Sequence, residues 1–370
     1  MRRCIFHFPE PIIENPTSGS AVRPNRMLQA FRDIGYQVDE ATGYSGDRKA
    51  EIQKIKQNIK NGVHYDFVYS ESVNSPTLMA DKDHIPRHPF MDFAFYKFCR
   101  KNKIPVGMFY RDIYWKFPQI YNAVTTAAKR AILIPMFSYD VLQYPSCLDL
   151  LYLPTKRMQN YVLQGLPSAE LPPGGDLRPE SLAVKQNRVP MADGKLKIFY
   201  VGSLSALYDN RKLFQAVQET EGVYLTVCTH EKQWNACKPD YAPYLCDRIQ
   251  IVHKSGDQLR AYYEEADMAA YCLNDNEYLD MAMPIKFFEA ISFGTPLLTT
   301  SIYSISKLVE REQIGWVCET TVSGIKDKLE YLKANPSDIK VKTENTITAA
   351  YKNTWEARAQ QVADELTKIK

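Results

Sequence analysis

The chain has 370 residues, 45% of them hydrophobic, and a formal net charge of +3. That length exceeds one ordinary domain and suits two of roughly 150–200 residues, each with its own core. No run of about 18 apolar residues occurs, so no membrane-spanning helix is expected. The apolar run after Arg2 and Arg3 is too short for a signal peptide. A soluble, cytoplasmic chain is expected.

Buried strands alternate with helices along the sequence. Residues 4–8 read as a strand, 23–34 as a helix, 37–42 as a strand and 48–60 as a helix. Strands at 67–70, 106–110 and 150–153 follow, with helical stretches between them. Residues 185–194 are polar and include Pro190 and Gly194, which fits a linker. A second series then begins, with strands at 196–201, 224–228, 249–252, 268–272, 296–300 and 316–318. Helices start near Asp209 and Gly256, and a long helix is expected over 345–370. Alternation on this scale argues for parallel sheets with helical crossovers, hence an α/β protein with two Rossmann-like domains.

The eight cysteines form no C-x-x-C pair and read as reduced, mostly buried thiols. A metal set drawn from Cys228, His230, Cys237, Cys246 and His253 matches no familiar zinc spacing, and no metal is expected. Nine basic residues between Arg87 and Arg130 face only Asp92 and Asp112, with aromatics interleaved. Nucleic-acid stacking modules are lacking. The cluster reads either as a solvated face or as a surface lying on anionic lipid.

The segment Met283-Pro-Ile-Lys-Phe-Phe-Glu-Ala-Ile-Ser-Phe-Gly-Thr-Pro-Leu-Leu carries the chemistry. Pro284 suits a helix start and Gly294 a helix exit. Lys286 and Glu289 are three residues apart and share one helix face. A helix amino end with a lysine in its first turn favours phosphate, and a carboxylate one turn deeper can accept from ribose hydroxyls. A chance Lys/Glu pair on a surface helix is the plain alternative.

This segment resembles the nucleotide-binding signature of GT-B glycosyltransferases, above all glycosyltransferase family 4 and its relatives. Further stretches are similar to the same family. They are Ser18-Gly19-Ser20 as an acceptor-side loop, Pro172-Pro173-Gly174-Gly175-Asp176 near the end of the first domain, and Phe199-Tyr200-Val201-Gly202-Ser203 opening the second. Ser255-Gly256, the helix at 259–263 and Ala266-Asp267 resemble the wall of the nucleotide base. One departure stands out: where family 4 has a first glutamate, this chain has Met281, with Glu277 and Asp280 the nearest acids. Lys286 matches a lysine of related enzymes that lack that glutamate.

The resemblance implies a GT-B fold, two Rossmann-like domains facing a cleft, with an acceptor-side domain over 1–185 and a nucleotide-sugar domain over 195–345. The last helix, 346–370, would cross back to the first domain with Tyr351 or Trp355 near the crossing. It implies transfer of a sugar from a nucleotide diphosphate sugar, a UDP-sugar favoured, to a hydroxyl of a lipid-linked or polymeric glycan in surface polysaccharide assembly, at the cytoplasmic membrane face. Donor-binding residues would be Gly202, Ser203, Arg211, Lys286 and Glu289, with Lys212 also near. Acceptor-side residues would be Gly19, Ser20 and Glu71. Asp112, after the strand at 106–110, would be the base if the enzyme inverts, and Lys286 would stabilise the leaving group. No cofactor or nucleic-acid partner is implied. A sugar-nucleotide epimerase and a non-catalytic nucleotide-sugar-binding subunit of the same fold remain the alternatives.

Overall fold

The computed structural model describes residues 2–14, 19–162 and 165–369. The chain divides into two compact units. The first comprises the residues up to Pro173 together with those from Trp355 onward, and the second runs from Gly174 to Thr354.

The first unit holds β1 (Arg3–Phe8), β2 (Gln37–Thr42), β3 (Val68–Glu71), β4 (Val106–Phe109), β5 (Leu150–Leu153) and β6 (Ser168–Glu170), in the order β2-β1-β3-β4-β5-β6. Every pair is parallel, with Arg3 opposite Gln37 and Val68 opposite Val106. β3, β4 and β5 are buried throughout, as strands covered by helices on both faces must be. β6 has no counterpart among the predicted strands. It is only three residues long and half-buried, so it carries neither an apolar run nor an alternation to detect.

The second unit holds β7 (Leu196–Val201), β8 (Val223–Cys228), β9 (Ile249–Val252), β10 (Met268–Tyr271), β11 (Leu297–Thr300) and β12 (Gly315–Cys318), again all parallel, in the order β12-β11-β10-β7-β8-β9. The two-residue period of a strand sorts its side chains onto two cores. Leu196, Ile198 and Tyr200 of β7 pack in one core with Met268 and Ala270 of β10. Phe199, Val201, Ala269 and Tyr271 pack in the other.

The strand order places one crevice in each unit. In open parallel sheets, ligands bind outside the carboxyl ends of the strands where the order reverses direction. That point lies between β1 and β3 in the first sheet and between β7 and β10 in the second.

Two sequence-based boundaries differ from the structure. The expected linker begins at Lys185, yet Lys185 lies in the helix Pro179–Asn187 of the second unit, is buried, and donates to Ala266 O. Burial lowers its ammonium to about 7. Arg188 pairs with buried Asp267, which also accepts from Lys197 N at 2.8 Å. These long-range ties make a polar stretch part of a fold. The expected helix over 346–370 is two helices, Pro336–Lys352 and Trp355–Thr367. Asn353 ends the first by donating Nδ2 to Ala349 O at 2.9 Å, and Thr354 then bridges to Gly175. Only the second helix packs in the first unit, where Gln361 donates to Glu170 O at 2.9 Å. Trp355 opens it and is buried, while Tyr351 is exposed.

The Arg87–Arg130 cluster resolves into core and paired surface. Phe93, Phe95, Tyr96, Phe109, Tyr110, Trp115 and Phe117 are buried. Arg87 pairs with Asp83 at 2.5 Å, Arg100 with Asp149 at 2.9 Å and Arg111 with Glu71 at 3.4 Å. Most of the aromatics thus serve the interior of the first unit, while Phe90 is exposed, and a third of the cations are already in ion pairs.

Candidate functional site

In the second unit the helix Ile285–Ser292 starts directly after Pro284 and ends before Gly294, whose φ of 68° is the left-handed geometry a side chain resists. Lys286 Nζ and Glu289 Oε2 are 2.6 Å apart, as their three-residue spacing requires. Both charges act on Cys228 at the end of β8, whose thiol is pushed up by burial. Cys228 O in turn accepts from Gly202 N at 3.0 Å. Glu289 also receives the Tyr263 hydroxyl at 3.4 Å. Lys286, Glu289 and the Gly202 turn are therefore brought to one end of this sheet.

Gly202 has a reason of its own to be glycine. A Cβ there would stand 2.9 Å from the Tyr200 hydroxyl, which donates to Ser203 O at 2.6 Å and closes the turn. Ser203 Oγ accepts from Gln233 Nε2. Arg211 lies at the start of the helix Arg211–Gln218, half exposed, and is held by Asp209 at 2.7 Å. Asp209 also accepts from Asn274 Nδ2 at 3.2 Å, which ties the loops after β7 and β10 together across the point where strand order reverses. Lys212 donates to Thr320 O at 2.8 Å. Met281, at the position of the missing glutamate, is buried.

In the first unit Glu71 ends β3 and is fully buried. Its Oε1 lies 3.3 Å from Arg23 Nε and accepts from the Tyr69 hydroxyl at 2.9 Å. Asp112 follows β4, is half-buried, and its Oδ1 accepts from Tyr114 N at 2.9 Å, setting the next short turn. Gly19 and Ser20 open the helix Gly19–Asp33. Ser18 and the side chain of Ser20 lie outside the described residues. A surface depression lined by His64, Lys103, Pro105 and Ile369 sits at the amino-terminal ends of β3 and β4. That is the opposite end from the one where parallel sheets hold ligands. Among the described residues no group of three His, Cys, Asp or Glu is placed to hold a metal ion.

Residues 184–353 match the family model of the glycosyl transferases group 1. This range contains the Gly202 turn, Arg211 and the Lys286–Glu289 pair. Over that range the second unit is similar to the glycosyl transferases group 1. No curated protein sequence matches the chain. Among solved structures, sucrose-phosphate synthase from Thermosynechococcus elongatus is 13% identical, with TM-score 0.65 and coverage of 100% of this chain and 99% of the other. Anabaena HepE in complex with UDP is 12% identical, with TM-score 0.62 and 100% of each chain covered. WaaG, a glycosyltransferase involved in lipopolysaccharide biosynthesis, is 13% identical, with TM-score 0.59 and coverage of 98% and 99%. The fold is therefore GT-B over the whole chain, and the protein is a glycosyltransferase.

Several residues beside the glycosyltransferase's expected site were not legible in sequence. Asp209 and Asn274 are 65 positions apart and meet only because β7 and β10 are neighbours. The Tyr271 hydroxyl is buried without a hydrogen bond and feels the charge of Glu289. Arg23 reads as one more helical cation, and only the end of β3 reveals its partner. The one available signal was position, since a polar residue just past a buried strand faces the ligand end of a parallel sheet.

Proposed function

We propose that the glycosyltransferase takes its sugar from a nucleoside diphosphate sugar, a UDP-sugar favoured, and passes it to a hydroxyl of a lipid-linked or polymeric glycan in surface polysaccharide assembly. The observation that carries the reading is Lys286 at the amino end of an eight-residue helix, 2.6 Å from Glu289, on the end of the sheet where the Gly202 turn also lies. The helix start supplies unpaired N–H groups and a positive dipole end, and Lys286 adds a full charge, so a diphosphate leaving group is stabilised as its negative charge develops. Glu289 accepts from the ribose hydroxyls. Arg211 joins the diphosphate when it exchanges its Asp209 carboxylate for phosphate oxygens. Gly202 and Ser203 bring backbone close to the same group. These cations do the neutralising, so the reading calls for no metal. HepE, solved also with UDP-glucose, shares the fold and supports the choice of uridine.

On the acceptor side the reading assigns Gly19, Ser20 and Glu71, with Asp112 as the proton acceptor if transfer inverts the anomeric centre. Incubation with labelled UDP-, GDP- and ADP-sugars tests the whole. Transfer, or slow hydrolysis of the UDP-sugar, is the expected result. An isomerised donor would make the protein an epimerase, and binding without turnover would make it a binding subunit.

The reading places the protein in the cytoplasm with a peripheral contact to anionic membrane. Among the described residues no helix is long and apolar enough to cross a membrane. The helix Ala127–Cys147 exposes Ile132 (55%) and Leu142 (66%), with Val124 exposed just before it and Lys129 in its first turn. Apolar residues beside cations suit the headgroup boundary. Sedimentation with anionic vesicles is expected at low salt, falling as salt rises and reduced by Ile132→Ser with Leu142→Ser. Equal recovery with neutral vesicles, or no loss in the double variant, removes the membrane contact and favours a soluble acceptor.

A further inference from the structure

The reversal of strand order in the first sheet falls between β1 and β3, and three charged residues gather there. Arg23 lies one turn into the helix that follows β1, Glu71 ends β3, and Arg111 follows β4. Two guanidinium groups meet one carboxylate. Arg23 Nε is 3.3 Å from Glu71 Oε1, and Arg111 Nη2 is 3.4 Å from Oε2. The Tyr69 hydroxyl occupies Oε1 as well, at 2.9 Å.

Arg23 is out of balance with its surroundings. It is 3% exposed, and none of its three guanidinium nitrogens makes a hydrogen bond, the approach to Glu71 being a charge contact of poor angle. Its guanidinium carbon lies 3.5 Å from the centre of the Phe109 ring and 5.9 Å from that of Trp355. Stacking satisfies the face of the group and leaves its edge, where the N–H donors are. Buried donors are ordinarily paired, and a buried charge ordinarily has a full complement of partners. Arg111, 13% exposed along its side chain, is pushed down by burial, with the like charge of Arg23 adding to the effect. Glu10 is the other acid close to Arg111, and burial pushes it toward its neutral form. Arg23, with its donors unpaired, and Arg111 thus lie beside the same carboxylate at the ligand end of the sheet.

The geometry points to an oxyanion subsite: Arg23 and Arg111 receive a phosphoryl or carboxylate group carried by the acceptor, with Glu71 holding the two guanidinium planes in place. The planar fork of arginine matches both groups with paired N–H donors, which a lysine would not do. Arg111 is the outward member and marks the side of entry. The inference rests on the reading of the first unit as the acceptor side and gives the acceptor a chemical property, a negative charge near the hydroxyl that is glycosylated.

Calorimetric titration of the full chain with inorganic phosphate, and separately with glucuronate, tests this. Lys286→Ala is used as the background, so that the proposed donor site adds no phosphate binding. One of the two probes is expected to bind that background, and Arg111→Gln on top of it should weaken binding at least tenfold. Arg111→Lys, which keeps the charge but not the fork, should recover only part of the loss. Arg23→Gln is expected to match Arg111→Gln. If Arg23→Gln does not fold by circular dichroism, the part-exposed Arg111 decides alone. Tighter phosphate supports a phosphorylated acceptor, and tighter glucuronate a uronic acid. No binding of either probe to the Lys286→Ala background, or undiminished binding in Arg111→Gln, overturns the subsite. Titration of the unmodified chain with UDP reports on the donor reading separately. UDP without oxyanion binding sinks the subsite alone, and oxyanion without UDP binding sinks the donor reading alone.

Discussion

Lys286→Ala is expected to weaken UDP binding by about 10- to 100-fold, the size of one charge-assisted hydrogen bond to phosphate. The effect should exceed simple loss of a cation. Glu289 lies 2.6 Å from Lys286 Nζ, so removing the ammonium leaves a bare carboxylate facing the diphosphate. Uridine, which has no phosphate, should bind the variant nearly as well as the unmodified chain. Glu289→Gln should behave in the opposite sense, weakening uridine and UDP alike through the ribose while the diphosphate keeps its lysine. The fold should survive both changes, because Lys286 is 41% exposed along its side chain and Glu289 is part-buried at 20%. Calorimetry with UDP and uridine on the two variants checks this. Undiminished UDP affinity in both would remove the donor site from this helix.

Asp92→Ala is expected to destabilise the first unit by about 3–5 kcal/mol, as the loss of one partner from a buried ion pair does. Asp92 accepts from Arg48 through Nε at 2.8 Å and Nη2 at 2.9 Å, and from His7 Nε2 at 2.8 Å. Arg48 and Asp92 are buried, and His7 is fully enclosed. The second ring nitrogen of His7 meets Ser70 Oγ at 2.9 Å and the Tyr96 hydroxyl at 2.8 Å. A serine, a histidine and an aspartate in this order suggest a nucleophile, but Ser70 and His7 have no exposed surface, so the row works as core. Removing the carboxylate strands the Arg48 charge, whereas Arg48→Met combined with Asp92→Leu should cost less than Asp92→Ala alone. A fall in Tm of about 10 °C is expected for Asp92→Ala. A cost below about 1 kcal/mol would show that the guanidinium finds water or another acceptor.

The same group makes stability depend on pH. Burial lowers His7 from its usual 6.5, and its bond to Asp92 only partly offsets that. The unfolded chain therefore takes up a proton below pH 6.5 that the folded chain refuses, and stability falls as pH drops from there. Asp92 is held well below 3.8 despite its burial, with the Arg48 charge the chief cause, followed by the bonds from His7 and Arg48. Its share is present above 3.8 and is lost as pH falls further. Urea unfolding at pH 7.5, 5.5 and 4.5 should show the loss, and His7→Gln should flatten it.

The local elements and the chemistry they carry were legible along the chain. Proline at 284 and glycine at 294 bound a helix in one dimension, because both act through backbone angles that need no distant partner. The three-residue spacing brought Lys286 and Glu289 together for the same reason. Two series of buried strands announced two sheets, since burial on both faces writes a continuous apolar run. Whatever depends on which strands are neighbours was settled by the packing of the fold. It drew the polar stretch at 185–194 into the second unit through Lys185 and Arg188, and it broke the last helix at Asn353. It buried most aromatics of the basic cluster and left Arg87 and Arg100 in surface ion pairs, and it gathered Arg23, Glu71 and Arg111 from a helix, a strand end and a loop. Side chains separated by 40 positions or more carry no mark of each other along the chain. Their meeting is set by strand order, which is chosen by the packing of whole helices and sheets and not by any single residue.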